Sequence, residues 1–140
     1  MMEIFATLCG GGTLVMPSRE IVRSPHDLVA FIRENHVEVV AVPPTVAELM
    51  PVEPDLPVRL LNLGGEAFPA DVAVRWCAED RVVYNCYGPT EATVLVTAYR
   101  CTRADTDPVP IGRPRPNTHV YVVDAFGDLA PVGVPGELWI

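Results

Sequence analysis

Short apolar runs and helix-starting signals alternate through the first two-thirds of the chain, and that alternation leaves few folds open. Thr13-Leu14-Val15-Met16, Val37–Val42, Arg59–Leu63 and Val82-Val83 have the length and composition of buried strands. Helix signals fall between them. Ser24-Pro25-His26-Asp27 offers a Ser cap, a Pro in the first turn and an acid three residues after the cap, ahead of the apolar stripe Leu28, Phe31, Ile32. Thr45 and Glu48 have the spacing of a capping box for a short helix ending near Met50, and a third helix is expected from about Pro69 to Glu79. An earlier helix, Met2–Leu8, is stopped by Gly10-Gly11-Gly12. Strands separated by helices imply a parallel sheet with helical crossovers, an α/β fold. After Glu91 the pattern changes. Val94–Arg100, Thr118–Asp124 and Glu137–Ile140 read as strands joined by Pro/Gly loops with no helix between them. Residues 1–91 are therefore expected to form the α/β part and residues 92–140 a distorted β region.

Composition narrows the partners. The 140 residues are 49% apolar and 20% charged, in the range of globular proteins that bury a core. A net charge of −8 argues against nucleic acid, whose binders present basic faces. All ten basic residues are arginines, and the sequence contains no lysine. No apolar run approaches the length of a membrane span, and the N-terminus lacks the basic-then-apolar order of a signal peptide. Cys9, Cys77, Cys86 and Cys101 are irregularly spaced, with no Cys-x-x-Cys and no nearby His pair. That pattern reads as reduced thiols in a cytoplasm rather than a zinc site or a disulfide framework. His26, His36 and His119 read as packing or surface residues, and Arg113-x-Arg115 as a solvated loop.

Two stretches carry chemistry. In Tyr84-Asn-Cys-Tyr-Gly-Pro-Thr-Glu91, the Gly88-Pro89 pair turns the backbone out of a strand and presents an amide, an aromatic ring, a hydroxyl and a carboxylate. Tyr87 can stack on a base, Asn85 can meet an exocyclic amine, and Thr90 can donate to a phosphate oxygen. Glu91 offers the hard oxygen that Mg²⁺ takes together with phosphates. A surface turn rich in turn formers would contain the same residues. Leu63-Gly64-Gly65-Glu66 lies between a strand and a helix, where open parallel sheets bind ligands, although a plain tight turn would look alike. It is not a dinucleotide fingerprint, because the second half of Gly-x-Gly-x-x-Gly is missing.

Asn85-x-Tyr-Gly-Pro-Thr-Glu91 resembles the nucleotide motif of the adenylation domains of nonribosomal peptide synthetases, within the adenylate-forming superfamily. Gly64-Gly65-Glu66 stands at the matching distance before it. Val109-Pro-Ile-Gly-Arg-Pro114, Asn117–Asp124 and Val132–Ile140 resemble the family's later blocks, and Glu3-Ile4-Phe5 through Leu14 and Pro43-Pro44-Thr45 resemble earlier ones. The resemblance implies part of the large N-terminal subdomain of such an enzyme, an ATP-dependent acid–thiol ligase. It would form an aminoacyl-adenylate from ATP·Mg²⁺ and an amino acid, then load a phosphopantetheine thiol on a carrier domain beside a condensation domain. By this resemblance Gly65, Asn85 and Tyr87 hold adenine, Thr90 contacts the α-phosphate and Glu91 binds Mg²⁺, with Thr90 and Glu91 as the catalytic pair. The acyl pocket is implied at Met2, Ala41, Asn62, Gly64, Cys86, Val94 and Leu95. The family's phosphate loop, and the acid that pairs with a substrate amino group, would lie before Met1. Its ribose-binding aspartate and catalytic lysine would lie after Ile140. The chain is thus expected to be an internal fragment, inactive alone. An aryl-acid or acyl-CoA ligase of the same superfamily, or a non-catalytic remnant, are the competing readings.

Overall fold

A computed structural model describes residues 2–77 and 80–140, the side chain of Met2 excepted. Helices α1 (Met2–Cys9), α2 (Arg19–Arg23) and α3 (Pro25–Glu34) come first. Then β1 (Val39–Val42), α4 (Pro44–Leu49), β2 (Leu60–Gly64), α5 (Ala70–Trp76) and β3 (Val82–Tyr87) alternate. A 3-10 turn, Thr90–Ala92, precedes β4 (Thr97–Arg100) and β5 (Arg113–Pro114), and β6 (Tyr121–Val123) and β7 (Glu137–Trp139) end the described chain. The first five strands form one sheet in sequence order, and β6 and β7 form a separate antiparallel pair. β1, β2 and β3 run parallel, whereas β4 and β5 are antiparallel additions.

This is the mixed α/β architecture expected, and β4 and β5, although they follow Glu91, extend the same sheet. Crossovers α4 and α5 supply the parallel connections. Register sorts the side chains by pleat. Leu61 pairs with Val83 and Leu63 with Asn85, and Leu61, Leu63 and Val83 are fully buried. They join Leu28, Val29 and Ile32 of α3 and Val72, Ala73 and Trp76 of α5 in the core. The alternate row, Ala41, Asn62 and Tyr84, with Gly64 and Cys86 beyond it, is only half-buried.

Trp76 is the centre of the packed side. Its indole Nε1–H donates to the Ala47 carbonyl at 3.0 Å, and Arg75 Nη2 donates to the carbonyls of Ala47 and Glu48 at 2.8 and 2.6 Å. Carbonyls at the end of α4, which its own helix leaves without donors, are thereby satisfied from α5. The Arg81 guanidinium lies 5.3 Å from the Trp76 ring and donates to the Val58 carbonyl at 3.1 Å. Truncating so large a buried ring costs about 3–5 kcal/mol.

Local expectations fared unevenly. Ser24 caps α3 by accepting from the Asp27 N–H at 3.3 Å, and Gly12 N–H closes α1 onto the Thr7 carbonyl at 2.8 Å. Thr13–Met16 is not a strand, for no other strand among the described residues pairs with it. The Thr45/Glu48 capping box does not form either. Pro43 is the N-cap of α4 and makes no side-chain cap bond, which puts Thr45 inside the helix. A short helix, α2, stands where none was expected, capped by Ser18. Arg113 and Pro114 are not loop but edge strand, paired with Ala98 and Thr97, although their side chains stay exposed as a solvated segment would. β4 begins at Thr97 rather than Val94, because Thr93 and Val94 hold positive φ (58° and 74°) and break the extended run. The expected end of the third helix at Glu79 lies outside the described residues. Helix α5 runs to Trp76.

Candidate active site

The half-buried row at the carboxyl ends of β1, β2 and β3 forms the floor of an open cavity of about 340 Å³. Ala41, Asn62, Gly64, Cys86, Val94 and Leu95, scattered over 55 positions of sequence, all line it, together with Gly65 and Thr90. Two glycines make this geometry possible. A Cβ on Gly64 would stand 2.6 Å from the Cys86 carbonyl oxygen, so β2 and β3 keep their spacing here only without a side chain. A Cβ on Gly88 would stand 2.5 Å from the Val94 oxygen, where the chain doubles back to start β4. That return is held by Val96 N–H donating to the Tyr87 carbonyl at 2.8 Å. It forces Thr93 and the β-branched Val94 into left-handed backbone, a conformation that costs about 1–3 kcal/mol per residue and clusters at functional sites.

The pleat sends the motif residues of β3 two ways. Cys86 faces the cavity, whereas its neighbours Asn85 and Tyr87 alternate to the other side of the strand and do not line it. Asn85 is buried, and its Nδ2 donates to the Pro110 carbonyl at 2.9 Å. That bond fixes the amide's orientation and leaves Oδ1 as an acceptor. Gly64 pairs with Cys86, so Gly65 follows alongside Tyr87 at the same sheet edge. Thr90 and Glu91 are exposed in the 3-10 turn beyond Pro89. The Met2 side chain lies outside the described part.

The lining also takes in residues that the resemblance did not assign to the pocket: Glu3, Val42, Pro43, Leu63 and Gly88. Their signal was positional, since Val42, Leu63 and Gly88 stand at or just past the carboxyl ends of the parallel strands. Glu3 comes from the first turn of α1, and hydrogen bonding to its own backbone holds its carboxyl below the usual range. Burial raises the Cys86 thiol above its ordinary value, partly opposed by the charge of Arg115. Its Sγ lies 3.9 Å from Asn62 Oδ1. Among the described residues no cluster of His, Cys, Asp and Glu has the makings of a metal cage, and no helix is long and apolar enough to cross a membrane. A nucleotide-bound Mg²⁺ needs no such cage, because one carboxylate with phosphate and water oxygens suffices.

Solved adenylation domains share this fold. An adenylation domain from Vibrio cholerae, AlmE, crystallised with glycyl-adenosine-5'-phosphate, superposes with a TM-score of 0.85 and 31% identity, covering 98% of this chain and 28% of that one. A four-domain nonribosomal peptide synthetase bound to AMP and glycine gives a TM-score of 0.86 at 30% identity, over 99% of this chain and 10% of that one. The AMP-binding enzyme family profile matches residues 1–140, and the chain belongs to that family. Among curated relatives are two components of the linear gramicidin synthase of Brevibacillus parabrevis, one 44% identical over 140 residues and the other 42% identical over 139. Each match takes in 99% of this chain but only 3% and 2%, respectively, of those much longer proteins.

Proposed function

We propose that this chain supplies acid- and nucleotide-binding parts of an amino-acid-activating, adenylate-forming ligase of the peptide-synthetase type. The observation that carries the reading is the gathering of Ala41, Asn62, Gly64, Cys86, Val94 and Leu95 around one cavity beside Gly65 and Thr90. The names of the relatives and the glycyl-adenylate and glycine complexes of its structural neighbours support the same reading.

In this reading the amino acid enters the cavity with its side chain over the β2–β3 floor. Tyr87 and Gly65 flank the adenine at the sheet edge. Asn85, its Nδ2 already engaged by Pro110, turns Oδ1 toward an exocyclic amine, a donor that only an acceptor can satisfy. Thr90 donates its hydroxyl to the α-phosphate, and Glu91 holds Mg²⁺. Bound ATP·Mg²⁺ supplies the electrophilic α-phosphorus that the carboxylate attacks, with pyrophosphate leaving. The chain's residues act by positioning and by balancing charge, which is where most of the acceleration in such transfers arises. The acyl group then passes to the phosphopantetheine thiol of a carrier domain adjoining a condensation domain.

Amino-acid-dependent exchange of labelled pyrophosphate into ATP, measured on the full-length product of the gene, tests the proposal. Exchange with at least one amino acid is expected, with Tyr87→Ala and Glu91→Gln each lowering it tenfold or more. Turnover only of aryl or fatty acids, with coenzyme A as acceptor, would refute it. The 140-residue chain alone, which has no lysine to serve the family's catalytic position, is expected to give no exchange.

A further inference from the structure

Asn62 is a polar residue placed between Leu61 and Leu63 in the middle of a sheet. An amide there costs free energy unless its groups find partners. Its Oδ1 has one, the Cys86 thiol at 3.9 Å. A thiol donates only while protonated, and the burial that raises Cys86 keeps it so. With Oδ1 facing Cys86, the two N–H groups of Nδ2 remain, and no hydrogen bond from them is made among the described residues. The nearby lining is apolar: Ala41, Val94 and Leu95.

We infer that the activated amino acid bears an uncharged hydrogen-bond acceptor, a hydroxyl or carboxamide oxygen, on its side chain, and that Asn62 Nδ2 donates to it. The inference rests on the amino-acid-activating reading above and adds the chemical class of the substrate. Charged side chains fit less well. A side-chain carboxylate would meet no cation in the lining, since Arg115, whose charge acts on Cys86, is not part of it. A side-chain ammonium would set donors against the Nδ2 donors. A purely aliphatic side chain would leave Nδ2 desolvated and unpaired, the situation in which polar sites discriminate most strongly. The cavity of about 340 Å³ accommodates side chains of serine to glutamine size.

The test is the pyrophosphate-exchange assay on the full-length gene product with matched pairs: threonine against valine, serine against alanine, asparagine and glutamine against leucine, with aspartate and lysine included. Calorimetric titration of the same amino acids without ATP gives a second readout. The preferred oxygen-bearing member is expected to exceed its hydrocarbon partner in kcat/KM by roughly 10–100-fold, the range of one well-placed neutral hydrogen bond. Asn62→Leu should shrink that ratio at least tenfold, chiefly by lowering kcat/KM for the oxygen-bearing member. An aliphatic or charged amino acid as best substrate, or an unchanged ratio in Asn62→Leu, would overturn the inference while leaving amino acid activation intact. Absence of exchange with every amino acid would overturn both readings. The wild-type panel decides the question even if the variant fails to fold.

Discussion

Gly64→Ala is the sharpest test of how the cavity floor is built. The added Cβ would lie 2.6 Å from the Cys86 carbonyl oxygen and 3.3 Å from the Cys86 Cβ. The first contact is with backbone in the neighbouring strand, so no side-chain rotation relieves it. β2 and β3 must part by several tenths of an ångström at the Gly64–Cys86 pair, next to the fully buried Leu63. Overpacking of this kind costs about 1–3 kcal/mol. With a urea dependence of about 2 kcal/mol per molar, the unfolding midpoint falls by roughly 0.5–1.5 M. Equilibrium urea unfolding followed by far-ultraviolet circular dichroism, on wild type and variant side by side, reads this directly. A second variant sharpens it. Cys86→Gly removes the Cβ at 3.3 Å but leaves the oxygen at 2.6 Å, so it is not expected to rescue Gly64→Ala. A midpoint for Gly64→Ala within error of wild type would refute the close-approach argument. Full rescue by Cys86→Gly would show that the clash is with the side chain instead.

Three further outcomes are expected. Helix α5 has no side-chain cap of its own, and the Ala70 N–H is met instead by Asp107 Oδ1 at 2.6 Å; Asp107→Ala should cost about 1 kcal/mol in the same unfolding assay, and Asp107→Asn less. Asp105 is partly desolvated, which raises its carboxyl, but hydrogen bonds from Thr102 and Tyr99 outweigh this and hold it below the ordinary value. Its stabilisation should be complete above the ordinary carboxylate range and lost as pH falls through the depressed value, and thermal melts of Asp105→Asn should lack that acid-side loss. Burial pushes the Cys101 thiol to about 12 and raises Cys77, so at pH 8 a thiol reagent counted by mass spectrometry should modify exposed Cys9 first and reach the other two only on unfolding.

The sequence made the parallel half legible because helix and strand periods differ and each crossover carried its own boundary signals. Ser24 with Pro25 marked a real start, since their geometry is local. Thr45 and Glu48 misled because Pro43 and Pro44 fixed the backbone first and took over the start of the helix. Thr13–Met16 and Arg113-Pro114 show the limit of composition, as a strand exists by virtue of a partner and a local pattern does not name one. At the site, the resemblance named six lining residues that the fold brings to one cavity, but not Glu3, Val42, Pro43, Leu63 or Gly88. Neither motif nor spacing revealed that Asn85 would be tied to Pro110, a bond across 25 positions.

The pleat of β3 has a consequence for how such a chain can change over time. Asn85 and Tyr87 face one way and Cys86 the other, so a point substitution at Cys86 edits the floor of one chamber and leaves the opposite wall untouched. If the proposed function holds, selectivity for the acid drifts one codon at a time without disturbing the residues assigned to the nucleotide. A single-residue insertion or deletion in β3 would instead swap the two faces at once. The strand behaves as two interleaved texts, tolerant of misspelling and intolerant of a shift in frame.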